Sequence, residues 1–131
     1  MGGGTEQDEN EANSTADAPS GLTCTNCVVS SGTLVTNGKT VSLAWTPPGF
    51  GQIRKYSIWR AVGSFPTAAS VVANINLFSN IQTLTGAPPS PTFTDNSKLK
   101  NGTTYTYFVT DGNKQGSQSG PSAPVVVTVK F

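Results

Sequence analysis

The stretch 92-TFTDNSKLKNGTTYTYFVT-110 decides the fold. Its second half, TYTYFVT, alternates tyrosine and valine on one face with threonine and phenylalanine on the other. A period of two residues predicts an extended strand with one face in a core. Asn101-Gly102 precedes this strand and Asp111-Gly112 follows it, and both dipeptides favour tight turns. The stretch therefore predicts a short strand, a turn and a long strand.

The same alternation recurs on both sides of this stretch. The segment 39-KTVSLAWTPPG-49 places three apolar residues on one face: Val41, Leu43 and Trp45. Its two prolines end the strand, because proline cannot donate to a sheet ladder. In 54-RKYSIWRAV-62 one face carries Tyr56, Ile58 and Arg60, and the other carries Ser57, Trp59 and Ala61. A closing strand is predicted in 123-APVVVTVKF-131. The whole chain predicts six or seven short strands, as in a β-sandwich.

The region 63–92 departs from this regular pattern. Its apolar residues come in short runs, and breakers such as the APPSP sequence interrupt it. We expect a short strand plus a loop here, with one helical turn as the alternative.

Charge divides the 131-residue chain into two parts. Residues 1–21 carry five acids, no base and no Val, Ile, Leu or aromatic residue, whereas residues 22–131 carry all eight bases against Asp95 and Asp111. A segment without large apolar residues cannot offset the entropy cost of ordering. We therefore predict a disordered acidic tether over 1–21 and one folded domain over 22–131. The bases are scattered along the sequence, so no nucleic-acid partner is expected.

The order of these segments resembles a fibronectin type III domain of the bacterial surface or extracellular type. The motif VSLAWTPP resembles the second strand of that family, YSIWRA the third, and TFTDNSKLKNGTTYTYFVT its most specific part. The resemblance implies an all-β, immunoglobulin-like fold with two antiparallel sheets. It also implies a core that contains Trp45, Tyr56, Ile58, Leu99, Tyr105 and Tyr107.

The resemblance also assigns two polar roles. Asp95 stands where the family has a structural aspartate, and Tyr105 stands where the family has the tyrosine of a tyrosine corner. We expect the Tyr105 hydroxyl to bind backbone a few residues upstream.

The composition excludes most catalytic chemistry. The chain has no histidine, so serine or cysteine triads and histidine metal sites are absent. The predicted domain offers only Asp95 and Asp111 as a carboxylate pair. We expect a protein that is not an enzyme and that uses no cofactor and no metal.

Cys24 and Cys27, in 22-LTCTNCVVS-30, are the only cysteines. Val28 replaces the histidine that haem attachment needs, and two thiolates are too few for a structural zinc. A disulfide and a redox pair remain, and the β-rich context favours the disulfide. In that case it rigidifies the start of the first strand.

The N-terminal segment resembles the start of a mature bacterial lipoprotein, with Met1 in place of the lipidated cysteine. The alternative is an added tag or an arbitrary domain boundary. The first interpretation predicts a bacterial extracytoplasmic domain that reaches a membrane only through its N-terminal anchor.

An aromatic pair is the predicted contact surface. If Tyr56 and Tyr105 face the core, Trp59 and Phe108 point away from it, flanked by Arg54 and Lys55. The alternative is that the region 63–92 folds over the pair. The expected function is a non-catalytic binding or spacer module with a protein partner at the cell envelope. The alternatives are self-association into a surface assembly and a thiol–disulfide redox protein.

Overall fold

The computed structural model describes residues 17–49, 53–113 and 116–131. Nine strands in these residues form two sheets with the orders β1-β4-β7 and β2-β3-β9-β8-β5-β6. The strands are β1 (Ser20–Cys24), β2 (Cys27–Ser30), β3 (Thr33–Thr36), β4 (Val41–Thr46), β5 (Ile53–Val62), β6 (Ser79–Thr85), β7 (Thr92–Asp95), β8 (Thr104–Asn113) and β9 (Val125–Thr128). The predicted all-β sandwich is confirmed, with more strands than the six or seven expected.

The core lies between the two sheets and follows the predicted alternation. In β4 every second residue is buried, and the Trp45 ring meets Tyr56 of β5 edge-on at 5.5 Å between ring centroids. The six residues that the sequence places in the core all belong to one buried cluster: Trp45, Tyr56, Ile58, Leu99, Tyr105 and Tyr107. Large side chains that interdigitate from both sheets remove apolar surface from water and stabilise the sandwich.

The chain changes sheets within its first two strands. Strand β1 pairs with β4, and after the turn at Thr25 and Asn26 the next strand, β2, belongs to the other sheet. β2 and β3 form a hairpin, and β3 then runs parallel to β9. The first strand thus begins at Ser20, two residues before the predicted boundary. Most of the predicted tether, residues 1–16 with the Met1 position, lies outside the described residues.

The region 63–92 contains the expected short strand, β6, and also the helical segment that was the alternative. The helix α1 spans Ala68–Ala73, and Thr67 caps its N-terminus in a capping box with Ser70. A 3₁₀ turn, Ile75–Leu77, follows, and β6 then pairs with β5. The buried Val71 and Phe78 pack against the outer face of the six-stranded sheet.

Candidate functional site

The aromatic pair predicted as a contact surface is mostly covered. Phe108 is only 2% exposed, because Phe78 packs edge-on against it at 4.9 Å. Trp59 stacks on its other side at 5.8 Å, and Phe65 packs against Phe78. The prediction of an open Trp59–Phe108 patch is therefore wrong, and its alternative, a cover from the region 63–92, is what the structure has.

A cleft of about 230 Å³ remains beside Trp59, between Ile75 and Pro121. The indole N–H of Trp59 donates to the Thr110 hydroxyl at 3.0 Å, so its polar atom is already bonded within the sheet. Lys55 shares this outer face, and its stem lies over Gly112. Arg54 is exposed and lies where the register between β5 and β8 shifts, between Ile53 and Lys55. The structure thus joins Trp59, Phe108 and Lys55 on one face.

Asp95 is the centre of a buried polar network. It is 2% exposed, and its carboxylate accepts hydrogen bonds from Tyr107 at 2.6 Å, from Arg60 at 2.8 Å and from the Ser97 hydroxyl at 2.6 Å. Burial alone would raise the pKa of this carboxyl, but the bonds from Ser97, Tyr107 and Arg60 outweigh burial and hold the pKa below its usual value. Asp95 therefore ties β7 to β5 and β8.

Tyr105 forms the tyrosine corner that the resemblance implies. Its hydroxyl accepts a hydrogen bond from the Lys100 backbone N–H at 3.0 Å, five residues upstream. The Arg60 guanidinium lies 5.3 Å from the Tyr105 ring centroid. The corner therefore fixes the turn at Asn101-Gly102 to the end of the core.

Asp111 lies in strand β8 rather than in a turn, and it is 1% exposed. Neither of its carboxylate oxygens accepts a hydrogen bond within the described residues. The nearby Ser119 hydroxyl instead accepts from the Asp111 backbone N–H and donates to the Gly120 carbonyl. Burial raises the pKa of Asp111 to about 6; the nearby Ser119 side chain acts in the opposite direction, and the charge of Asp17 adds to the rise. An uncompensated carboxylate therefore lies inside the sandwich.

Two further buried polar atoms lie in the same part of the core. The Trp45 indole N–H and the Tyr56 hydroxyl have no hydrogen-bond partner in the part of the chain that is described. Burial raises the pKa of Tyr56, and the Asp111 charge raises it further.

Asp111 and Asp95 do not meet as a carboxylate pair. Tyr107, which binds Asp95, lies about 13 Å along β8 from Asp111.

The cysteines form a disulfide at the point where the chain changes sheets. Cys24 ends β1 and Cys27 begins β2, with 5.5 Å between their Cα atoms. Between them the Asn26 side chain donates to the Thr40 carbonyl and accepts from the Ser42 N–H, both at 2.9 Å. The disulfide thus braces a turn between two strands, which is not the helix N-terminus that activates redox thiols. This placement does not favour the redox alternative.

Replacing both cysteines with serine should lower the free energy of unfolding by about 2 kcal/mol, because the unfolded chain gains conformational entropy when the cross-link is lost. The loss is modest because the loop between the two cysteines is short. Urea unfolding measures this difference. Reductant should destabilise the wild type to the level of the variant and leave the variant unchanged. Equal stability of the oxidised and reduced wild type would contradict the bracing role.

Lysines separated in sequence meet at one end of the sandwich. Four exposed lysines lie where β4 begins and β9 ends, and we call this end the basic pole: Lys39, Lys98, Lys100 and Lys130. Gly38 bridges to Lys130, and the Phe131 N–H donates to Asn101 at 2.9 Å, so three chain segments converge there. After Asp17 the sequence has only two acids, Asp95 and Asp111, and both are buried. The surface of the sandwich after Asp17 therefore carries basic side chains and no acidic side chain.

Sequence reasoning interpreted these bases as scattered and missed the basic pole. The signal lay in the strand order, which brings the β3–β4 turn, the tyrosine corner and the C-terminus to one end. The opposite end, which we call the N-terminal pole, holds Asp17, Trp45 and Asp111.

Solved structures with the same architecture identify the fold. The chain matches the twitchin kinase region from C. elegans (Fn31-NL-kin-CRD-Ig26) with a TM-score of 0.60 and 18% identity, over 88% of this chain and 17% of that one. The match to a structure described as a myokine has a TM-score of 0.59 and 16% identity, over 89% of this chain and 100% of that one. The fold is of the fibronectin type III kind.

The chain also matches part of a pectate lyase, PelI from Erwinia chrysanthemi, with a TM-score of 0.56 and 18% identity. That match covers 85% of this chain and 28% of the lyase, so the chain spans a minor part of both the lyase and the twitchin structure. No protein-family model and no curated protein matches the sequence. The β2–β3 hairpin and the helical cover over Phe108 are the parts that the resemblance did not imply.

No helix in residues 17–49, 53–113 and 116–131 is long and apolar enough to cross a membrane. The same residues contain no group of three or more side chains of the kinds that ligate metals.

Proposed function

We propose that this fibronectin type III-like domain is a non-catalytic, extracytoplasmic binding module that contacts an acidic protein surface at the cell envelope. The charge distribution carries the proposal. Both acids that follow Asp17 are buried, while four lysines are exposed together at the basic pole. A surface with one sign of charge attracts partners of the opposite sign and accelerates their encounter.

The disulfide supports the proposed extracytoplasmic location. Disulfides persist in oxidising compartments and are rare in a reducing cytosol. The fold and the Cys24–Cys27 bond together fit an extracellular domain. Tethering through a lipid at the position of Met1 remains part of this proposal, because residues 1–21 have the polar composition of a tether.

The partner is proposed to be a protein rather than a nucleic acid. The basic pole presents lysines on flexible stems around Asn101, and it has one aromatic side chain among the described residues there, Phe131, which is 51% exposed and has the Lys39 ammonium 5.3 Å from its ring centroid. Grooves that bind single-stranded nucleic acid combine a basic path along the phosphates with several exposed aromatic side chains on which bases stack. The basic pole fits a compact acidic patch better than a polymer backbone.

Binding to immobilised poly-glutamate tests the role of the basic pole. The double substitution Lys100→Gln with Lys130→Gln should weaken binding at low ionic strength by about tenfold, because it removes two of the four lysine charges at this pole. The matched control is Arg54→Gln with Lys55→Gln, which removes the same net charge from β5 at the other end of the molecule. If both variants weaken binding equally, net charge alone determines binding, and the proposal is overturned.

A further inference from the structure

The Arg60 side chain is held in one orientation beside the basic pole. Its Nη1 group donates to Asp95 at 2.8 Å and to the Ser97 hydroxyl at 2.7 Å. These two bonds use both hydrogens of Nη1. The guanidinium also lies over the Tyr105 ring, 5.3 Å from its centroid. Two hydrogen bonds and one aromatic contact therefore fix the plane of this cation.

The other two nitrogen atoms of Arg60, Nε and Nη2, have no hydrogen-bond partner in the described residues. The buried atoms that lack a partner in these residues include neither of them, so both are open to solvent. An arginine has five N–H groups, and three of them are free here. Nε–H and one Nη2–H point the same way along one edge of the guanidinium. Such a pair of donors matches the two oxygens of a carboxylate.

Asp95 already pairs with Arg60, but its charge is met by several donors. Its oxygens accept four hydrogen bonds, one from Arg60, one from the Tyr107 hydroxyl and two from the hydroxyl and N–H of Ser97. The carboxylate is also buried, whereas the Arg60 side chain is 23% exposed. The free edge of Arg60 thus remains available to a second carboxylate from solvent.

Two lysines of the basic pole flank this edge in the backbone. Lys98 directly follows Ser97, which binds Arg60, and the Lys100 N–H binds the hydroxyl of Tyr105, on whose ring Arg60 lies. Both lysines are exposed. They add two positive charges to the neutral Arg60–Asp95 pair, so a carboxylate that approaches the edge meets net positive charge.

We propose that the free edge of Arg60 is a carboxylate-binding site, at which an aspartate or glutamate side chain of the partner accepts two parallel hydrogen bonds. This inference rests on the proposed function, because it names the residue of the basic pole that recognises the acidic surface by geometry. A lysine ammonium on a flexible stem attracts negative charge from many directions, whereas a fixed guanidinium edge selects a planar group with two oxygens.

Nuclear magnetic resonance of the full chain tests this proposal, because the sequence contains only two arginines, Arg54 and Arg60. Their Nε–H signals are followed during a titration with hexaglutamate whose termini are both blocked, at constant ionic strength. The Arg60 signal should shift and saturate. The signal of the exposed Arg54 is the internal control and should stay nearly constant. A titration in which the Arg60 signal does not shift, or in which both signals shift alike, would overturn the proposal.

Two further ligands test the chemistry of the site in the same titration. A glycine–serine peptide with a free C-terminus offers one terminal carboxylate, and inorganic phosphate offers a tetrahedral anion. The Arg60 signal should respond to hexaglutamate at lower concentration than to either of them. A response to the terminal carboxylate alone, or an equal response to phosphate, would contradict a site for acidic side chains.

Arg60→Lys separates the geometry of the site from its charge. It keeps a cation beside Asp95 but removes the two parallel donors, so it should weaken binding of hexaglutamate by at least about fivefold. The matched control, Arg54→Lys, should bind like the wild type. If Arg60→Lys fails to fold by circular dichroism, the Arg60 signal of the wild type decides the question alone.

The same measurements distinguish failure of this site from failure of the proposed function. If Arg60→Lys binds like the wild type while Lys100→Gln with Lys130→Gln weakens binding, the Arg60 site is overturned and the binding role of the basic pole stands. If the wild type does not bind hexaglutamate, both proposals are overturned.

Discussion

Replacing Asp95 with alanine should lower the free energy of unfolding by about 3 kcal/mol or more at pH 7. The carboxylate accepts hydrogen bonds from Tyr107, Arg60 and Ser97, and its removal leaves the fully buried Tyr107 hydroxyl without a partner. Loss of one member of a buried ion pair typically costs about 3–5 kcal/mol, because the other charge stays desolvated. Arg60 is 23% exposed and can partly regain water, which places the expected loss near the lower end of that range.

Urea unfolding of three variants measures this loss. Asp95→Asn retains an acceptor oxygen for Tyr107 and should lose less than Asp95→Ala. Ser97→Ala removes one hydroxyl from the network and should cost about 1 kcal/mol. A loss below about 1 kcal/mol for Asp95→Ala would show that the network contributes little to stability.

The pH dependence of Asp95 has a definite sign. Its pKa in the folded state is below the usual value, so its stabilisation is complete above about pH 4 and is lost as the pH falls through the folded pKa. Asp95→Asn should abolish this part of acid unfolding.

The central fold was predictable because its signals are local. The alternation around Trp45 and in β8 predicts which face of each strand enters the core, and that face is buried in both strands. The other face of β8, which was predicted to be open at Phe108, is buried as well. The tyrosine corner depends on a short spacing, from Lys100 to Tyr105, that sequence shows directly. A period of two and a tight turn specify these elements before any long-range contact is known.

The strands β1 and β2 were missed because their pattern is weak. Both are short, and their side chains are mostly exposed or half-buried, so no apolar face marks them. Their position depends on the disulfide and on the Asn26 side chain, which contacts residues 14 and 16 positions away. A single sequence does not reveal such contacts.

The cover over Phe108 and the basic pole were also missed because they depend on contacts between residues far apart in the sequence. Whether Phe108 is open depends on where the region 63–92 packs, and a six-residue helix gives little periodic signal. The basic pole depends on strand order rather than on spacing. Asp111 looked like a turn residue because Asp-Gly favours turns, but β8 continues through Gly112 to Asn113.

Asp111→Asn should stabilise the domain at neutral pH, unlike most substitutions at a buried residue. The carboxylate is 1% exposed, its oxygens accept no hydrogen bond in the described residues, and its pKa rises from 3.8 to about 6. A difference of about two in pKa corresponds to about 3 kcal/mol between the charged and neutral forms. Since asparagine still buries a polar amide, we expect a gain of about 1–2 kcal/mol at pH 7 to 8.

The pH dependence distinguishes this origin of the gain from improved packing. Because the folded-state pKa of Asp111 is raised, its protonation favours the folded state below about pH 4, and this contribution is lost as the pH rises through about 6. The wild type should therefore lose stability between pH 4 and pH 6, and Asp111→Asn should be flat over that window. The control, Asp17→Asn, removes an exposed negative charge from the same pole and should shift stability by less than about 0.5 kcal/mol. A gain that is the same at pH 4 and pH 8 would mean that asparagine packs better, and that ionisation of Asp111 does not destabilise the sandwich.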